Sequence, residues 1–376
     1  MKRRETILDF LYLDEKDMIE AGVLNMSECI VEMEKVFRLL SKGDYIMGGK
    51  NHNSHGMLID FPEKPEHSGM PKDGPDRRFM AMPAYLGGEY GVSGCKWYGS
   101  NIENIDEELP RSILTMTLND VVSGAPLAFQ SANLLSAWRT GAIPAVGAKY
   151  LAKDNSKVFG VVGAGSIGTS SAEAILDVCE NLEIVKIYDV YKPTAKVLKE
   201  KLEQMHSKLK VRIVDSIEET IRDSDVINLA TSGEANPKIE EEWIKLGALF
   251  TVSSSGDFNP EFAINNMKIF VDNWKMYEAT VDEAEYPYYN PTMGVIGRQL
   301  LDWIYENKMS SNIITNIGDV ITGNVKGRES ENDIILYGLG GQPVYDVAWG
   351  YKIYKNALEK GIGTKLNLWE KAYQAR

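Results

Sequence analysis

The chain has 376 residues, of which 44% are hydrophobic and 25% charged, and its formal net charge is −13. That length exceeds one ordinary core and predicts two domains; the acidic balance excludes the basic stripe that a nucleic-acid partner requires. Cys29, Cys95 and Cys179 are too scattered for a disulfide framework or a zinc cluster. No apolar run approaches the roughly 20 residues of a membrane span, so a cytoplasmic protein is expected.

The chain opens with a short predicted strand, 10–13, and then a helix over 26–40. That helix carries Ile30, Met33, Val36, Phe37 and Leu40 at helical spacing, with Ser27 as its candidate cap. Residues 48–78 lose all periodicity and hold Pro62, Pro65, Pro71 and Pro75, which reads as a long irregular excursion. Strands are predicted over 78–84, 91–98, 113–119 and 125–130, separated by Gly87-Gly88 and Ser123-Gly124. An alanine-rich helix over 132–151 follows. From 157 to about 317, apolar strands at 158–163, 184–189, 211–214, 226–230, 249–253 and 268–271 alternate with helical patterns, the rhythm of βαβ units and a parallel sheet. A linker at 323–329, a strand at 333–337 and a helix at 344–359 closed by Gly361 complete the chain. These last elements are expected to return to the first domain.

The strongest motif is Gly163-Ala164-Gly165-Ser166-Ile167-Gly168, which runs off the strand Val158-Phe159-Gly160-Val161-Val162 into a helix. Gly163 serves the tight turn, Gly165 the close approach of a pyrophosphate, and Gly168 the packing of helix on sheet. Ser166 and Ile167 stand at the positive helix end, where free N–H groups receive the phosphates. Asp189 ends the next strand about 20 residues after the last glycine, placed to bind the ribose hydroxyls and to repel a 2′-phosphate. The cofactor read from this pattern is NAD(H), with Lys192 close enough in sequence to soften the preference. Thr231 and Ser232 follow the strand 226–230, at the sheet edge where a nicotinamide ribose would lie or where a plain turn would serve as well.

Three charged residues occupy unexpected settings. Lys96 interrupts the strand-like Val92-Ser93-Gly94-Cys95-Lys96-Trp97-Tyr98, and Arg139 interrupts an apolar helical stretch. A buried cation needs an anion, which is either a substrate carboxylate or an internal salt bridge. Asp257 follows Ser253-Ser254-Ser255-Gly256 at a strand's carboxyl end, as a reacting acid/base or as a turn residue before Asn259-Pro260. His52 and His55 lack a third ligand at metal spacing, so no metal is expected.

In their order, Met82-Pro83-Ala84-Tyr85, Lys96, Arg139-Thr140-Gly141-Ala142, the glycine loop, Gly256-Asp257 and Tyr337-Gly338-Leu339-Gly340 resemble the ornithine cyclodeaminase/μ-crystallin family over nearly the whole chain. The resemblance implies an α/β fold: a Rossmann doubly wound NAD-binding domain, 146–319, and a discontinuous α+β substrate and dimerisation domain, 1–145 with 320–376. It implies a homodimer, Lys96 and Arg139 on the substrate α-carboxylate, Thr140 among the cofactor contacts, and Asp257 as the acid/base beside the nicotinamide. Arg78 or Lys50 would supply a third cation. The family reaction on ornithine oxidises Cα, cyclises with loss of ammonia and returns the hydride. Apolar residues around Met80 stand where the cyclodeaminase pattern has an acid, and Met-Pro-Ala-Tyr is nearer the ketimine reductases and alanine dehydrogenases of the family. The expected function is hydride transfer at Cα of a small amino or imino acid. Its outcome is a cyclodeamination or a net imine reduction or amino-acid dehydrogenation; a binding protein without turnover is the reading of another class.

Overall fold

The computed structural model describes residues 7–231, 236–290 and 294–374. The chain divides into two compact units. The first comprises Met1–Asn25, Asp44–Ser136 and Gln342–Arg376; the second comprises Met26–Gly43 and Ala137–Gly341. Strands are numbered along the chain.

In the first unit the strands are β1 (Leu8–Leu13), β2 (Tyr45–Met47), β3 (Met57–Asp60), β4 (Arg78–Leu86), β5 (Val92–Ser100), β6 (Ser112–Asp120) and β7 (Pro126–Ser131), with a last strand, Thr364–Trp369, joining β1. From that last strand the order is β1-β7-β6-β5-β4-β2, with β3 also on β4. Only the β1–β7 pair is parallel; the other pairings are antiparallel. Side chains alternate between the two faces with the strand period of two. On β4, Met80, Met82 and Ala84 are buried while Phe79 is exposed. The helix Pro343–Lys360 lies across β4, β5 and β6 and covers the buried face. It comes close because residue 350 is glycine: a Cβ there would stand 2.9 Å from the Gln130 Oε1, and the Gln130 Nε2 donates to the Gly350 carbonyl at 2.9 Å. The outer face keeps exposed apolar residues, among them Tyr12, Phe79, Trp97, Ile113 and Phe129. Phe79 stacks on Trp97 at 5.8 Å between ring centres.

The second unit holds an all-parallel sheet. Its strands are β8 (Val158–Val162), β9 (Ile184–Tyr188), β10 (Lys210–Ile213), β11 (Val226–Leu229), β13 (Leu249–Val252), β15 (Met267–Val271), β16 (Ile314–Asn316) and β17 (Ile334–Gly338). The order is β10-β9-β8-β11-β13-β17-β15-β16, so the winding reverses between β8 and β11. Every residue of β11, β13 and β17 is buried, as expected for strands covered on both faces. A separate two-stranded piece pairs β12 (Lys238–Ile239) with β14 (Asp257–Phe258).

Two segments lie elsewhere than the sequence led one to expect. The strand placed in the first domain is β17, hydrogen-bonded between β13 and β15 in the second unit. Gly147 marks its packing: a Cβ there would stand 2.1 Å from the Tyr337 ring, so the helix Asn133–Leu151 presses directly on β17. The helix Met26–Lys42 also belongs to the second unit, against Ser166–Val178 and Ile317–Ile321. Ser27 sits inside its first turn and donates to Asp177 at 2.7 Å instead of capping it.

Candidate active site

In the second unit the glycine loop has the geometry the motif requires. Gly163 sits at φ +91°, and a Cβ there would lie 2.5 Å from the Ala230 carbonyl. Left-handed backbone with a wall at that distance admits only glycine. A Cβ on Gly168 would collide with the Gly163 carbonyl at 1.9 Å. Around Gly165, by contrast, a Cβ would meet nothing within 4 Å, and the helix Ser166–Val178 begins there without a side-chain cap. Ser166 and Ile167 are exposed at that end. An open, uncapped N-terminus of a 13-residue helix is a place for a pyrophosphate. Asp189 stands just past β9; its carboxylate accepts the Ala164 N–H at 2.7 Å and the Tyr191 N–H at 2.8 Å. Lys192 is engaged by Asp215 at 2.6 Å. These residues fit the dinucleotide.

At the carboxyl ends of β11 and β13 the hydroxyls gather. Both the N–H and the hydroxyl of Thr231 contact the Ser254 Oγ, at 3.3 and 3.2 Å, and the Tyr289 hydroxyl donates to the Ser255 Oγ at 3.1 Å. Ser232 lies outside the described residues. Asp257 is exposed, its N–H bonded to the Pro237 carbonyl at 2.8 Å, and the buried Phe258 anchors the loop by packing edge-on against Phe250. Arg139 is 4% exposed. Its helix crosses the glycine-loop helix closely: a Cβ on Gly141 would lie within 2.6 Å of Ser170, whose hydroxyl also donates to the Ala137 carbonyl at 3.1 Å. The turn bearing Arg139 and Thr140 therefore rests on the start of the dinucleotide helix.

In the first unit Lys96 is 3% exposed, in register with the buried Met82 on β4 and Met116 on β6. Its ammonium pairs with Asp346 at 2.9 Å and donates to the Ser136 hydroxyl at 3.2 Å. Sequence reasoning passed over Asp346. The signal was there: a single carboxylate in the apolar run Pro343-Val344-Tyr345-Asp346-Val347-Ala348-Trp349. The ring of Tyr98 lies between two cations, 5.8 Å from the Lys96 Nζ and 5.9 Å from the Arg78 guanidinium. Arg78 is ion-paired with Asp76, which also accepts from Arg111, so its charge is already engaged within the unit. Lys50 is exposed on the excursion, as is His52. Among the described residues no group of three or more His, Cys, Asp and Glu side chains could hold a metal ion, and no helix is long and apolar enough to cross a membrane.

A second carboxylate that sequence reasoning missed is Asp272, 1% exposed at the end of β15. It accepts from the Tyr277 hydroxyl and from the Gly340 N–H, each at 2.9 Å, and so ties β15 to the glycine turn after β17. Burial and the adjacent Asp272 push the Tyr277 hydroxyl well above the ordinary tyrosine value, which keeps it a donor.

Comparison with known proteins identifies the family of the chain. The profile of the ornithine cyclodeaminase/mu-crystallin family matches residues 23–361. The N-((2S)-2-amino-2-carboxyethyl)-L-glutamate dehydrogenase of Staphylococcus aureus is 28% identical over 96% of this chain and 99% of its own length. The alanine dehydrogenase of Archaeoglobus fulgidus is 30% identical over 92% of this chain and 95% of its own. A solved archaeal alanine dehydrogenase dimer with bound NAD superposes with a TM-score of 0.77 at 26% identity, covering 96% of this chain and 100% of that one. The chain belongs to the ornithine cyclodeaminase/mu-crystallin family and is an NAD(H)-dependent enzyme acting on an amino or imino acid.

Proposed function

We propose that the enzyme is a net oxidoreductase, interconverting an α-amino acid and its imine, and not a redox-neutral cyclodeaminase. The observation that carries this reading is Met80. It is 1% exposed on the inner face of β4, takes the Tyr98 hydroxyl on its sulfur at 3.4 Å, and belongs to the apolar stretch that, by the family resemblance, replaces the acid of the cyclodeaminase pattern. A buried thioether offers nothing to position a second amine for ring closure. The two full-length relatives above are named as dehydrogenases, in support of the same direction.

In this reading Lys96 and Arg139 bind the substrate α-carboxylate, a pairing that favours a buried cation. Bound NAD⁺ or NADH supplies the acceptor or donor of the hydride at Cα. Asp257 moves the proton at the substrate nitrogen or at the attacking water. Asp189 holds the ribose hydroxyls, and Ser166, Ile167, Thr140, Thr231 and Ser232 complete the cofactor contacts. The outer face of the first unit, with Phe79, Trp97, Ile113 and Phe129 exposed, is the kind of apolar surface that a homodimer would cover.

A second reading concerns the nitrogen: a secondary amine that joins two amino acids, favoured by the Staphylococcus aureus relative, which this chain matches over 99% of its length. Incubation with a panel of amino acids, cyclic imines and N-carboxyalkyl amino acids tests both, with NADH and ammonia followed together. One nicotinamide converted per substrate supports the proposal. Ammonia and a cyclic product with no net change in NADH would overturn it.

A further inference from the structure

We infer that Asp346 is a positioning residue for Lys96, holding the lysine charged and aimed at the place where the substrate carboxylate arrives. The inference rests on the role proposed for Lys96 above.

Lys96 projects from the middle of β5 into the face covered by the helix Pro343–Lys360, between two fully buried methionines, Met82 and Met116. An ammonium in such a setting discharges unless an anion stays beside it. Asp346 is that anion. Its side chain is 0% exposed and its Oδ2 lies 2.9 Å from the Lys96 Nζ, with the Ser136 hydroxyl on the same ammonium at 3.2 Å. The carboxylate sits in the first turn of its helix, where the macrodipole favours negative charge. The helix itself is fixed on the sheet by the Gly350–Gln130 contact. Asp346 is therefore a rigid counter-ion that, with Ser136, fixes the direction of the lysine.

A buried pair of this kind contributes little to stability relative to apolar residues of the same shape, whereas removing one member is costly. Its presence beside the buried Met82 and Met116 is explained by what the lysine does. With the pair in place, Lys96 meets an incoming carboxylate already protonated and in a single orientation, so binding needs neither proton uptake nor side-chain ordering. Asp346 touches Lys96 and acts through it.

The test is the pH dependence of kcat/KM in Asp346→Asn. The variant loses the anion that holds the proton, so the alkaline limb of the profile should move down by about one pH unit or more, and KM for the acid should rise about tenfold or more at neutral pH. NADH affinity should stay unchanged, since the dinucleotide loop belongs to the other unit. An unmoved alkaline limb, or a fall in rate that is parallel at all pH values, overturns the inference and leaves Asp346 a packing residue. If Asp346→Asn does not fold, Lys96→Met is compared with Lys96→Met/Asp346→Leu, which replaces the whole pair by apolar groups. Equal kcat/KM in these two supports action through the lysine; a further loss in the double variant overturns it. Lys96→Met by itself reports on the parent reading: a normal KM there would remove Lys96 from carboxylate binding, whatever Asp346 does.

Discussion

Asp189 accepts the backbone N–H of Ala164 at 2.7 Å, so the carboxylate past β9 is fastened to the glycine loop past β8. The group that chooses the ribose is thereby held in register with the turn that receives the pyrophosphate. Its charge repels a 2′-phosphate, and Lys192, the next basic residue along the chain, is engaged by Asp215. NADH should bind more tightly than NADPH. Asp189→Ser should narrow the difference by about 1.5–3 kcal/mol, the worth of charged hydrogen bonds. Fluorescence titration of both nucleotides checks it; tighter NADPH binding by the unmodified enzyme would contradict the assignment.

The parallel sheet was legible because its central strands β11, β13 and β17 are buried on both faces and read as apolar runs broken by helical spacing. The glycine loop was legible because Gly163 and Gly168 stand where a Cβ would collide, while Gly165 leaves the approach to the helix end open. The position of β17 was not, since an apolar strand carries no mark of which sheet receives it, and its neighbour β15 is separated from it in the chain by β16 and the helices Trp274–Glu283, Ile296–Tyr305 and Ile317–Ile321. The strand Thr364–Trp369 escaped notice because its alternation, Lys365-Leu366-Asn367-Leu368, is short, and all its residues are exposed, so no buried face marks it. At the candidate site Lys96 and Arg139 stood out as lone charges among apolar neighbours, and both are buried. Asp346 bears the same signature. That it answers Lys96 from the other end of the chain is a tertiary fact which no local pattern encodes.

Arg139 offers a sharper test of carboxylate recognition because its turn rests on the dinucleotide helix through Gly141 and Ser170. Arg139→Leu should raise KM for the amino or imino acid by an amount equivalent to about 2–4 kcal/mol. An amine of the same shape lacking the carboxylate should be little affected. If instead the variant melts early and discriminates the two substrates as before, Arg139 is an internal salt-bridge residue.

Acid stability should depend on Asp225, which precedes β11 and accepts the N–H groups of Lys157 and Val158 at 2.8 and 2.9 Å while pairing with Lys245 at 2.8 Å and Lys153 at 3.2 Å. Burial alone would raise its pKa; the hydrogen bonds from Lys245 and the two backbone N–H groups outweigh it and bring the carboxyl from 3.8 down to about 2. A depressed carboxyl stabilises the fold above its unfolded pKa of about 3.9, and that contribution fades as pH falls toward the folded value. Asp225→Asn should therefore cost about 1.5–3 kcal/mol at neutral pH. The gap between the two proteins should close between about pH 4 and pH 2. Denaturant unfolding at a series of pH values gives the answer, and a gap independent of pH would mean that packing, not charge, is what Asp225 provides.

Asp257 carries the proton in the proposed mechanism, and its surroundings separate that role from a structural one. The loop is held by its neighbours: the Asp257 N–H bonds Pro237, and Phe258 is buried against Phe250, while the carboxylate itself is exposed. Gly256 is required there because a Cβ would stand 2.7 Å from the Phe258 ring. Replacing the carboxylate therefore leaves the anchors intact. Asp257→Asn preserves size and one acceptor but cannot shuttle a proton, so kcat should fall by roughly 10²–10⁴ with little change in melting temperature or NADH affinity. A carboxylate acting only as a loop support would give the reverse, a lowered melting temperature with turnover preserved in the folded fraction. Measuring kcat and the melting curve on the same preparation distinguishes the two, and near-normal turnover would remove Asp257 from the chemistry.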